Sequence, residues 1–502
     1  MISYIIKRIL LMIPTLFLIT LIIFMVLNLA PGRPGKTQVG ADGTQNQQSG
    51  DARESHRIFK EQFNFDKPIL FNTRFALERE DIEEKLETIS KSQAPTCPAE
   101  GTKPAGCLTV EEKPSSVSVV KAVEELEDLG NYTVPFLYQV ASDESVDLRT
   151  RRIALSTLSQ NAQRRLIPQY GRILTKDEKT FNDAAQEENQ KMKGWIIPPG
   201  EEPTKENLSK ITSEKWQPWI KAHTEEYDYT SGEKFNIFFT DTRFYKYMSN
   251  LVKLDFGVSH VDKKPVLETI GSKLKYSVTL SLLSILISYI ISIPLGVWSA
   301  YKQGSMSDKV LTVILFMLYS LPSFFVAVLL LNFFTIGDPL KLFPTGGFIA
   351  TGSENMTTLE QLKSVAYHLT LPLICLSYGG LASLSRYART GVLDVIRADY
   401  IRTARAKGLG EGVVIVKHAV RNGMIPILTL LGSLLPVLIG GSVIIEVIFN
   451  IPGMGLYLFE SITARDYNAI MAVLLISSVL TLLGLLVSDL SYALVDPRIS
   501  FD

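Results

Sequence analysis

The sequence predicts an all-α integral membrane protein with six transmembrane helices and a mainly helical domain inserted outside the membrane. Three features of the 502-residue chain support this prediction. Six long apolar runs alternate with polar loops, Lys and Arg concentrate on alternate loops, and one polar block, residues 76–240, differs in composition from the rest. That block holds 29 acidic and 21 basic side chains, whereas the remainder holds 22 and 30.

Each apolar run is long enough to be considered as a membrane span. The predicted spans are Ile9–Ala30, Val278–Trp298, Val310–Phe334, Leu369–Ser385, Met424–Phe449 and Ile470–Val487. We interpret the first as an uncleaved helix, because about 20 apolar residues cross the hydrocarbon core, whereas the apolar part of a signal peptide is shorter. Five prolines are expected to kink or break spans, namely Pro14, Pro294, Pro322, Pro372 and Pro436.

The distribution of basic residues predicts the orientation of the spans. Lys and Arg occur at residues 7–8, at 302 and 309, eight times between 386 and 421, and at 498. Loops rich in Lys and Arg stay in the cytoplasm. We therefore expect both termini to be cytoplasmic and the long loop 31–277 to lie on the opposite, extracytoplasmic side of the membrane.

These features divide the chain into five segments. We expect a first transmembrane helix (1–30), an outer connector (31–75), an inserted helical domain (76–240), the end of the outer loop with an entry helix (241–277), and a five-helix core (278–502) whose cytoplasmic loop covers 386–423.

The inserted block has a helical pattern throughout. A charged helix is expected around residues 76–93, and three further helices around 119–129, 134–140 and 146–158, the first of them ending at Gly130. The last three resemble one HEAT-type unit, and a generic helical domain is the equal alternative. Trp216 and Trp219 are expected to be core residues. The acidic balance disfavours nucleic acid as a partner.

Two cysteines lie in this outer block. Cys97 and Cys107 flank a short Pro- and Gly-containing segment, so an oxidising compartment would allow them to form a disulfide. No His lies near them, which disfavours a metal site. Cys375 falls within an apolar run and is expected to act as a small apolar side chain.

The basic loop 386–423 contains the most informative pattern. Apolar residues recur at helical steps around Val392 and Ile401, and Arg side chains fill other positions, so one or two amphipathic helices are expected at the membrane surface. Gly408 ends the second and permits a turn. Binding of lipid headgroups would account for the basic residues, but not for the small Ala404 beside that turn. A protruding helix–Gly–helix is suited to docking into a soluble partner.

The motifs that would indicate an enzyme are missing from the sequence. The chain has no G-x-x-x-x-G-K-[ST] phosphate-binding loop, and its five His form neither H-x-x-x-H nor H-E-x-x-H. We therefore predict no catalytic residue, no metal and no cofactor in this chain.

The loop sequence "TARAKGL…KHAVRNGMIP" resembles the "EAA" loop of binding-protein-dependent ABC importer permeases. Arg402 stands where that motif has Glu, and the interval from Gly408 to Pro426 is longer than in the general form. Both departures are similar to the dipeptide/oligopeptide branch. Further stretches resemble this branch in order, among them "FNFDKPI", "FPTGGF", "GGSVIIEVIFNIPGMG" and "ITARDYNAIMA". The stretch "YHLTLPLICLSYGGLASLSRYART" and the ending "DPRISFD" are especially similar to its microcin/oligopeptide-type members. The block 76–240 is not part of the family pattern.

The resemblance implies a type I ABC importer fold in the plasma (inner) membrane of a bacterium. It also implies a second permease subunit as heterodimer partner, two cytoplasmic ATPases and an outer substrate-binding protein. It implies dipeptides or oligopeptides as substrates and makes 386–423 the coupling loop, with ATP hydrolysis on the ATPase chains. The residues expected to couple to the ATPase are Asp399, Arg402, Ala404, Arg405 and Gly408. Gly408 would form the turn, and Ala404 would allow the partner backbone to approach closely. Arg402 and Arg405 would contact the ATPase.

Ionisable residues near membrane depth are candidates for the translocation path. Glu446 and Asp489 fall in this class, and Gly440 and Gly441 suit close helix packing or a bend lining the path. The structural alternatives are an interfacial position for Glu446 and a pair of Asp489 with a cytoplasmic Arg or a helix end.

Two other functional classes remain open from the residues. A membrane scaffold or sensor would use the outer block for interaction and the inner loop for docking, but the short cytoplasmic loops leave it no output domain. An outward-facing membrane enzyme would need a nucleophile or metal constellation, which the sequence does not offer.

Overall fold

The structure is a computed structural model. It describes residues 2–29, 60, 64–97, 107–167, 173–198, 200–259, 261–336, 342–424, 427 and 443–495. Within these ranges every regular element is a helix, and the only strand-like pairings are the isolated bridges Thr96–Leu108 and Val258–Pro265.

The chain divides into two compact units. The membrane unit comprises Met1–Pro34 and Phe256–Asp502, and the central unit comprises Gly35–Asp255. The predicted inserted domain, 76–240, lies within the central unit.

The described residues of the central unit contain nine α-helices. They are α2 (Arg79–Ser92), α3 (Ser116–Leu129), α4 (Val134–Ser142), α5 (Leu148–Asn161), α6 (Lys176–Lys193), α7 (Lys205–Ile211), α8 (Gln217–Ala222), α9 (Ser231–Thr240) and α10 (Arg243–Val252). The four helices expected between residues 76 and 158 are confirmed, with α2 to α5 at those places. Side chains fix several of their ends: Ser115 caps α3, Asp147 caps α5, and Gly130 ends α3 at a positive φ of 56°.

The apolar faces of these helices meet in one core. Leu126 of α3, Leu137 of α4 and Leu155 of α5 are fully or almost fully buried there. Trp216 is also completely buried, and its indole N–H donates to the Trp195 carbonyl at 3.0 Å. Trp219 packs against the same core. The predicted core role of both tryptophans is confirmed.

A disulfide joins Cys97 to Cys107, with 5.0 Å between their Cα atoms. The backbone N–H of Cys97 donates to the Leu108 carbonyl at 3.0 Å, and the N–H of Leu108 donates to the Pro95 carbonyl at 3.0 Å. The segments on both sides of the disulfide are therefore also paired through their backbones.

The membrane unit contains α1 (Ile2–Leu29) and the helices that follow the central unit. These are α11 (Val266–Tyr301), α12 (Met306–Ser320), α13 (Ser323–Leu331), α14 (Thr358–Ile396), α15 (Asp399–Ala406), α16 (Glu411–Val413), α17 (Arg421–Gly423), α18 (Val443–Ile448), α19 (Met454–Thr463) and α20 (Tyr467–Val495). A π-helical segment, Val414–Val420, connects α16 to α17.

Four of these helices, α1, α11, α14 and α20, are long and apolar enough to cross a membrane. A fifth span is obtained if the bent pair Met306–Ser320 and Ser323–Thr335 is one span; the two parts meet at 91°. The bend falls at Pro322, where the preceding Leu321 is extended, as residues before proline generally are. The chain is therefore a multi-pass membrane protein. Most of the predicted span Met424–Phe449 lies outside the described residues.

The expected effect of proline is confirmed at Pro322, where the helix pair is bent. The helices α1, α11 and α14 continue through Pro14, Pro294 and Pro372, so these prolines do not break them, and Pro436 lies outside the described residues. The predicted span ending at Ser385 belongs to a 39-residue helix that continues through the basic residues to Ile396. A charged side chain ends an apolar run, but it does not end a helix.

The helices α11 and α14 pack together through small residues. Ser284, Ser288, Ser292, Gly296 and Ala300 recur every four residues on α11, and all are buried. The hydroxyl of Ser288 donates to the Ser377 carbonyl at 3.3 Å, and that of Ser377 donates to the Ser284 carbonyl at 3.3 Å. Small side chains and hydroxyl groups favour this close packing between helices in membranes. This packing positions the last part of α14, which contains the first residues of the loop 386–423.

Candidate functional site: the loop after α14

The helix α15 is a separate short helix directly after α14. The backbone is extended at Ala398, which separates the two helices, and α15 ends where Lys407 leaves the helical conformation. Gly408 follows with a φ of +78°, and its N–H donates to the Arg405 carbonyl at 2.9 Å. A Cβ at Gly408 would meet nothing within 4 Å. Glycine is therefore favoured there by backbone conformation and not by lack of space.

One face of α15 is buried against the rest of the membrane unit. Ile401 is fully buried and Ala404 is 7% exposed. Their neighbours form one apolar cluster, consisting of Ala300, Ala388, Val392, Val414, Ala419, Met424 and Ile427. The cluster joins α11, α14, α15 and the segment after Gly410, so α15 is attached to the ends of two spanning helices.

The opposite face of α15 is charged and exposed. The Asp399 and Arg402 side chains are 96% and 75% exposed, and 3.4 Å separates their nearest O and N atoms. Arg405 donates to Glu411 at 2.6 Å and 3.2 Å. This hydrogen bonding raises the pKa of Arg405 and lowers that of Glu411. The Arg405–Glu411 pair also connects α15 to α16 across the Gly408 turn.

The structure corrects the role expected for Ala404. We expected its small side chain to admit a partner backbone, but Ala404 faces the chain's own core, where it allows α15 to approach α14. Asp399 and Arg402 lie on the exposed face, where a partner could reach them. Arg405 is about two-fifths exposed and already has a partner in its own chain, Glu411.

The segment after α15 crosses α14 at two glycines. A Cβ added to Gly391 would overlap the Gly423 carbonyl oxygen, and one added to Gly423 would lie 2.8 Å from the Gly391 carbonyl oxygen. Both distances are shorter than Cβ atoms tolerate, so the two backbones are in direct contact. We did not identify this pair from the sequence; the only signal was an isolated Gly within each of two helical patterns.

A buried ion pair lies next to this crossing. Asp308 in the first turn of α12 is 3% exposed as a residue, and its Oδ2 accepts from Arg389 Nη2 of α14 at 2.8 Å. It also accepts from the Ser299 hydroxyl at 2.5 Å and from the Gly304 N–H at 3.0 Å. The Asp308 carboxylate at the start of α12 therefore binds both the end of α11 and the last part of α14. In the sequence, Arg389 is only one of the eight basic residues of the loop, and we did not identify Asp308 from the sequence.

The four translocation-path candidates have different environments. Glu446 is fully buried, and its carboxylate accepts from the Ser277 hydroxyl at 2.8 Å and from the N–H groups of Gly455 and Leu456 at 2.7 and 3.1 Å. It therefore caps the N-terminus of α19, which accounts for a buried carboxylate at this place. Gly440 and Gly441 lie outside the described residues.

Asp489 of α20 binds residues at the beginning of the chain. It forms an ion pair with Arg8 at 2.8 Å and accepts from the Tyr4 hydroxyl at 3.0 Å. The Arg8 Nε in turn donates to the Tyr4 hydroxyl at 2.8 Å. These contacts match the structural alternative for Asp489, a pair with an Arg; the basic pattern of the sequence predicts that Arg8 is cytoplasmic.

Known proteins match the part of the chain that contains this site. Residues 292–501 match the family described as "Binding-protein-dependent transport system inner membrane component". The oligopeptide transport system permease protein AppB of Bacillus subtilis is 40% identical over 52% of this chain and 80% of its own length. The dipeptide transport system permease protein DppB of the same organism is 36% identical over 50% and 77%.

A further relative and one solved structure are also similar. The inner membrane ABC transporter permease protein YejB of Escherichia coli O157:H7 is 36% identical over 52% of this chain and 72% of its own length. A structure of the inward-facing MetNI methionine ABC transporter covers 46% of this chain at 16% identity, and its TM-score of 0.36 is too low to define the fold. From the sequence relatives, the chain belongs to the binding-protein-dependent family of peptide ABC importer permeases.

Proposed function

We propose that this chain is a transmembrane permease subunit of an ABC importer for dipeptides or oligopeptides, and that it couples ATP hydrolysis on partner chains to inward movement of the substrate. Two of the relatives described above are named for oligopeptide and dipeptide transport. The proposal extends that substrate class to this chain. It needs no catalytic residue and no cofactor here.

The division of α15 into two faces is the observation that carries the proposal. Ile401 and Ala404 anchor the helix inside the membrane unit, while Asp399 and Arg402 leave a charged surface free of the chain's own core. A helix held in this way moves together with the spans to which it is anchored. Its exposed charges suit docking to a soluble ATPase subunit, because charged surfaces steer and orient such encounters.

The contacts behind α15 support transmission of the movement. The cluster around Ile401 and the crossing of Gly391 with Gly423 join α15 and the following segment to α14. The Asp308–Arg389 ion pair then joins α14 to α11 and α12. Closely packed helices move as rigid bodies and do not deform gradually. A displacement of α15 by the ATPase would therefore move at least three spanning helices.

The proposed assembly contains this chain, a second permease, two cytoplasmic ATPases and an outer substrate-binding protein. We further propose that both termini are cytoplasmic and that the domain at 76–240 is extracytoplasmic. The supports are the alternation of basic loops and the disulfide between Cys97 and Cys107, since disulfides persist in oxidising compartments.

The test is ATP-dependent uptake of labelled di- and oligopeptides into proteoliposomes that contain the whole assembly. We expect uptake to require the binding protein and ATP.

The variant Gly408→Val tests the turn after α15 in the same assay. A β-branched residue would have to adopt a positive φ, which costs about 1–2 kcal/mol. We therefore expect the turn to change and uptake to fall. Gly412→Val is the matched control, because a Cβ at Gly412 meets nothing and its φ is ordinary.

Three results would contradict the proposal in different ways. ATPase activity without uptake of any peptide would overturn the substrate class and leave an importer of other solutes. Equal uptake by the Gly408→Val and Gly412→Val proteins would overturn the role of the turn. A chain that binds no ATPase at all would instead support the membrane scaffold or sensor.

A further inference from the structure

The central unit exposes a group of aromatic side chains on α9 and on the segment before α2. The group, here called the aromatic patch, consists of Phe71, Phe235, Phe238 and Phe239. The exposed fractions of Phe71, Phe235 and Phe239 are 54%, 71% and 45%. Exposure of this much phenylalanine surface to water is unfavourable in free energy. An apolar environment that covers the patch would remove this cost.

The rings form one continuous surface. The centroid of Phe71 lies 5.1 Å from that of Phe238 in a stacked arrangement and 6.1 Å from that of Phe239. Phe239 in turn lies 5.2 Å from Phe235 and 4.8 Å from Phe238. These edge and stacked contacts hold the rings to one another. The patch is therefore a preformed surface and not a set of scattered side chains.

Hydrogen bonds and an ion pair connect the segments that carry the patch. The N–H of Asn72 donates to the Phe238 carbonyl at 3.0 Å, and the N–H of Arg243 donates to the Pro68 carbonyl at 2.9 Å. Asp241 binds Lys67, the Tyr132 hydroxyl and the Asn72 side chain. These bonds join residues 65–72 to residues 238–244 of the central unit and fix Phe71 beside α9.

Apolar exposure continues along the chain from the patch toward the next membrane span. No residue of α9 or α10 is buried in the part of the chain that the structure describes. Val252, the last residue of α10, is 81% exposed, and Leu254 is 70% exposed. The chain then continues through residues 255–265 into the spanning helix α11. Exposed Lys234, Lys246 and Lys253 are interleaved with the aromatic and aliphatic residues.

This composition fits a lipid surface. Aromatic side chains with interspersed Lys are enriched where proteins meet the boundary between acyl chains and headgroups. The four patch residues are uncharged, and residues 35–50 of the connector contain only Val39 and Ala41 as apolar side chains, so that segment is a poor cover. We propose that the aromatic patch rests on the outer leaflet of the bilayer and anchors the central unit to the membrane surface.

The experiment measures the depth of spin labels in the full-length chain with its partner permease in lipid nanodiscs. Labels are placed by Phe235→Cys and Phe239→Cys in a Cys375→Ser background, and Cys97 and Cys107 remain joined. Val117→Cys on α3 is the matched control, because Val117 is 76% exposed on the same unit but lies outside the patch. Labels in lipid collide with dissolved oxygen, whereas labels in water collide with a polar nickel chelate.

We expect the labels at 235 and 239 to be accessible to oxygen and protected from the nickel chelate, with the opposite result at 117. Accessibility of 235 and 239 to the nickel chelate would overturn the proposal, because the patch would then be in water. Protection from both reagents would also overturn it, because a protein surface, such as another segment or the partner permease, would then cover the patch.

A second measurement uses a variant that keeps an aromatic side chain at position 235. Phe235→Trp retains a large apolar side chain, and lipids brominated on their acyl chains quench a nearby indole. We expect brominated lipids to remove most of the added emission of Phe235→Trp and little of that of Val117→Trp. Equal quenching of the two added tryptophans would contradict the membrane contact.

Discussion

Arg389 of α14 binds Asp308 of α12 in a buried ion pair, with 2.8 Å between Nη2 and Oδ2. The carboxylate is also held by the Ser299 hydroxyl and the Gly304 N–H, whose bonds come from the end of α11 and the turn after it. Three spanning elements therefore meet at one carboxylate. In the proposed orientation this junction lies on the same side of the membrane as the coupling loop.

Asp308→Asn should weaken this junction. The amide keeps the size of the side chain but leaves the Arg389 guanidinium without its counter-ion. Removal of one partner from a buried ion pair is strongly destabilising; because the Arg389 side chain is 32% exposed here, we expect a loss of about 2 kcal/mol. The midpoint of thermal unfolding of the purified permease should fall by several degrees.

Lys309→Gln provides the control for this variant, because Lys309 is the next residue along the chain and is exposed. It also removes one charge, yet it should leave the midpoint unchanged. If both variants unfolded at the same temperature, the junction would not contribute to the fold.

The contact between Gly391 and Gly423 predicts that a methyl group added at Gly391 destabilises the fold. Gly391→Ala would place a Cβ against the Gly423 carbonyl, so α14 and the segment after α15 would have to separate. Overpacking of this kind costs about 1–3 kcal/mol. We expect less folded protein in the membrane and a lower unfolding temperature. Gly412→Ala in the same loop should retain both properties, since its Cβ would be in open space; similar losses in the two variants would refute the close crossing.

Asp241 makes the central unit sensitive to acid. Burial alone would raise the pKa of this carboxyl, but the charge of Lys67 and hydrogen bonds from Lys67 and Tyr132 outweigh burial and lower it. A carboxyl with a pKa lower in the folded than in the unfolded state, where it is about 3.9, stabilises the fold at higher pH. That stabilisation is lost as the pH falls below about 4 through the folded-state pKa.

Lys67→Met should therefore destabilise the central unit by about 2 kcal/mol at neutral pH and move its acid unfolding to higher pH. The intrinsic fluorescence of Trp195, Trp216 and Trp219 reports on this unit, because three of the four tryptophans lie in it. Lys191→Met breaks an exposed pair with Glu187 and should have little effect. Acid profiles that coincide for Lys67→Met and the unmodified protein would rule out this role of Asp241.

Local sequence patterns predicted the helices better than they predicted the contacts between helices. The apolar spacing around Leu126 and the glycine at 130 predicted α3 with its end, and the spacing around Ile401 predicted an amphipathic α15. These features depend on neighbours within one or two helical turns. Hydrophobic periodicity therefore identifies them from one sequence.

Contacts between distant segments could not be predicted in this way. Asp308 and Arg389 are 81 residues apart, and nothing in a basic loop indicates which arginine a distant aspartate will meet. The serines of α11 are polar residues within an apolar run, and we did not identify them as the face that packs against α14. Ala404 was assigned to the wrong face because a small residue suits close approach to any neighbour, including its own chain.

In the proposed function, the exposed face of α15 couples the permease to ATP hydrolysis. The ratio of peptide uptake to ATP hydrolysis in the reconstituted assembly carrying Arg402→Glu tests this coupling. Lys417→Glu is the control, because it makes the same charge change at another exposed position of the same loop. We predict that the ratio falls at least tenfold in Arg402→Glu and stays at the unmodified value in Lys417→Glu. An unmodified ratio in Arg402→Glu, with the ATPases bound and active, would contradict the claim.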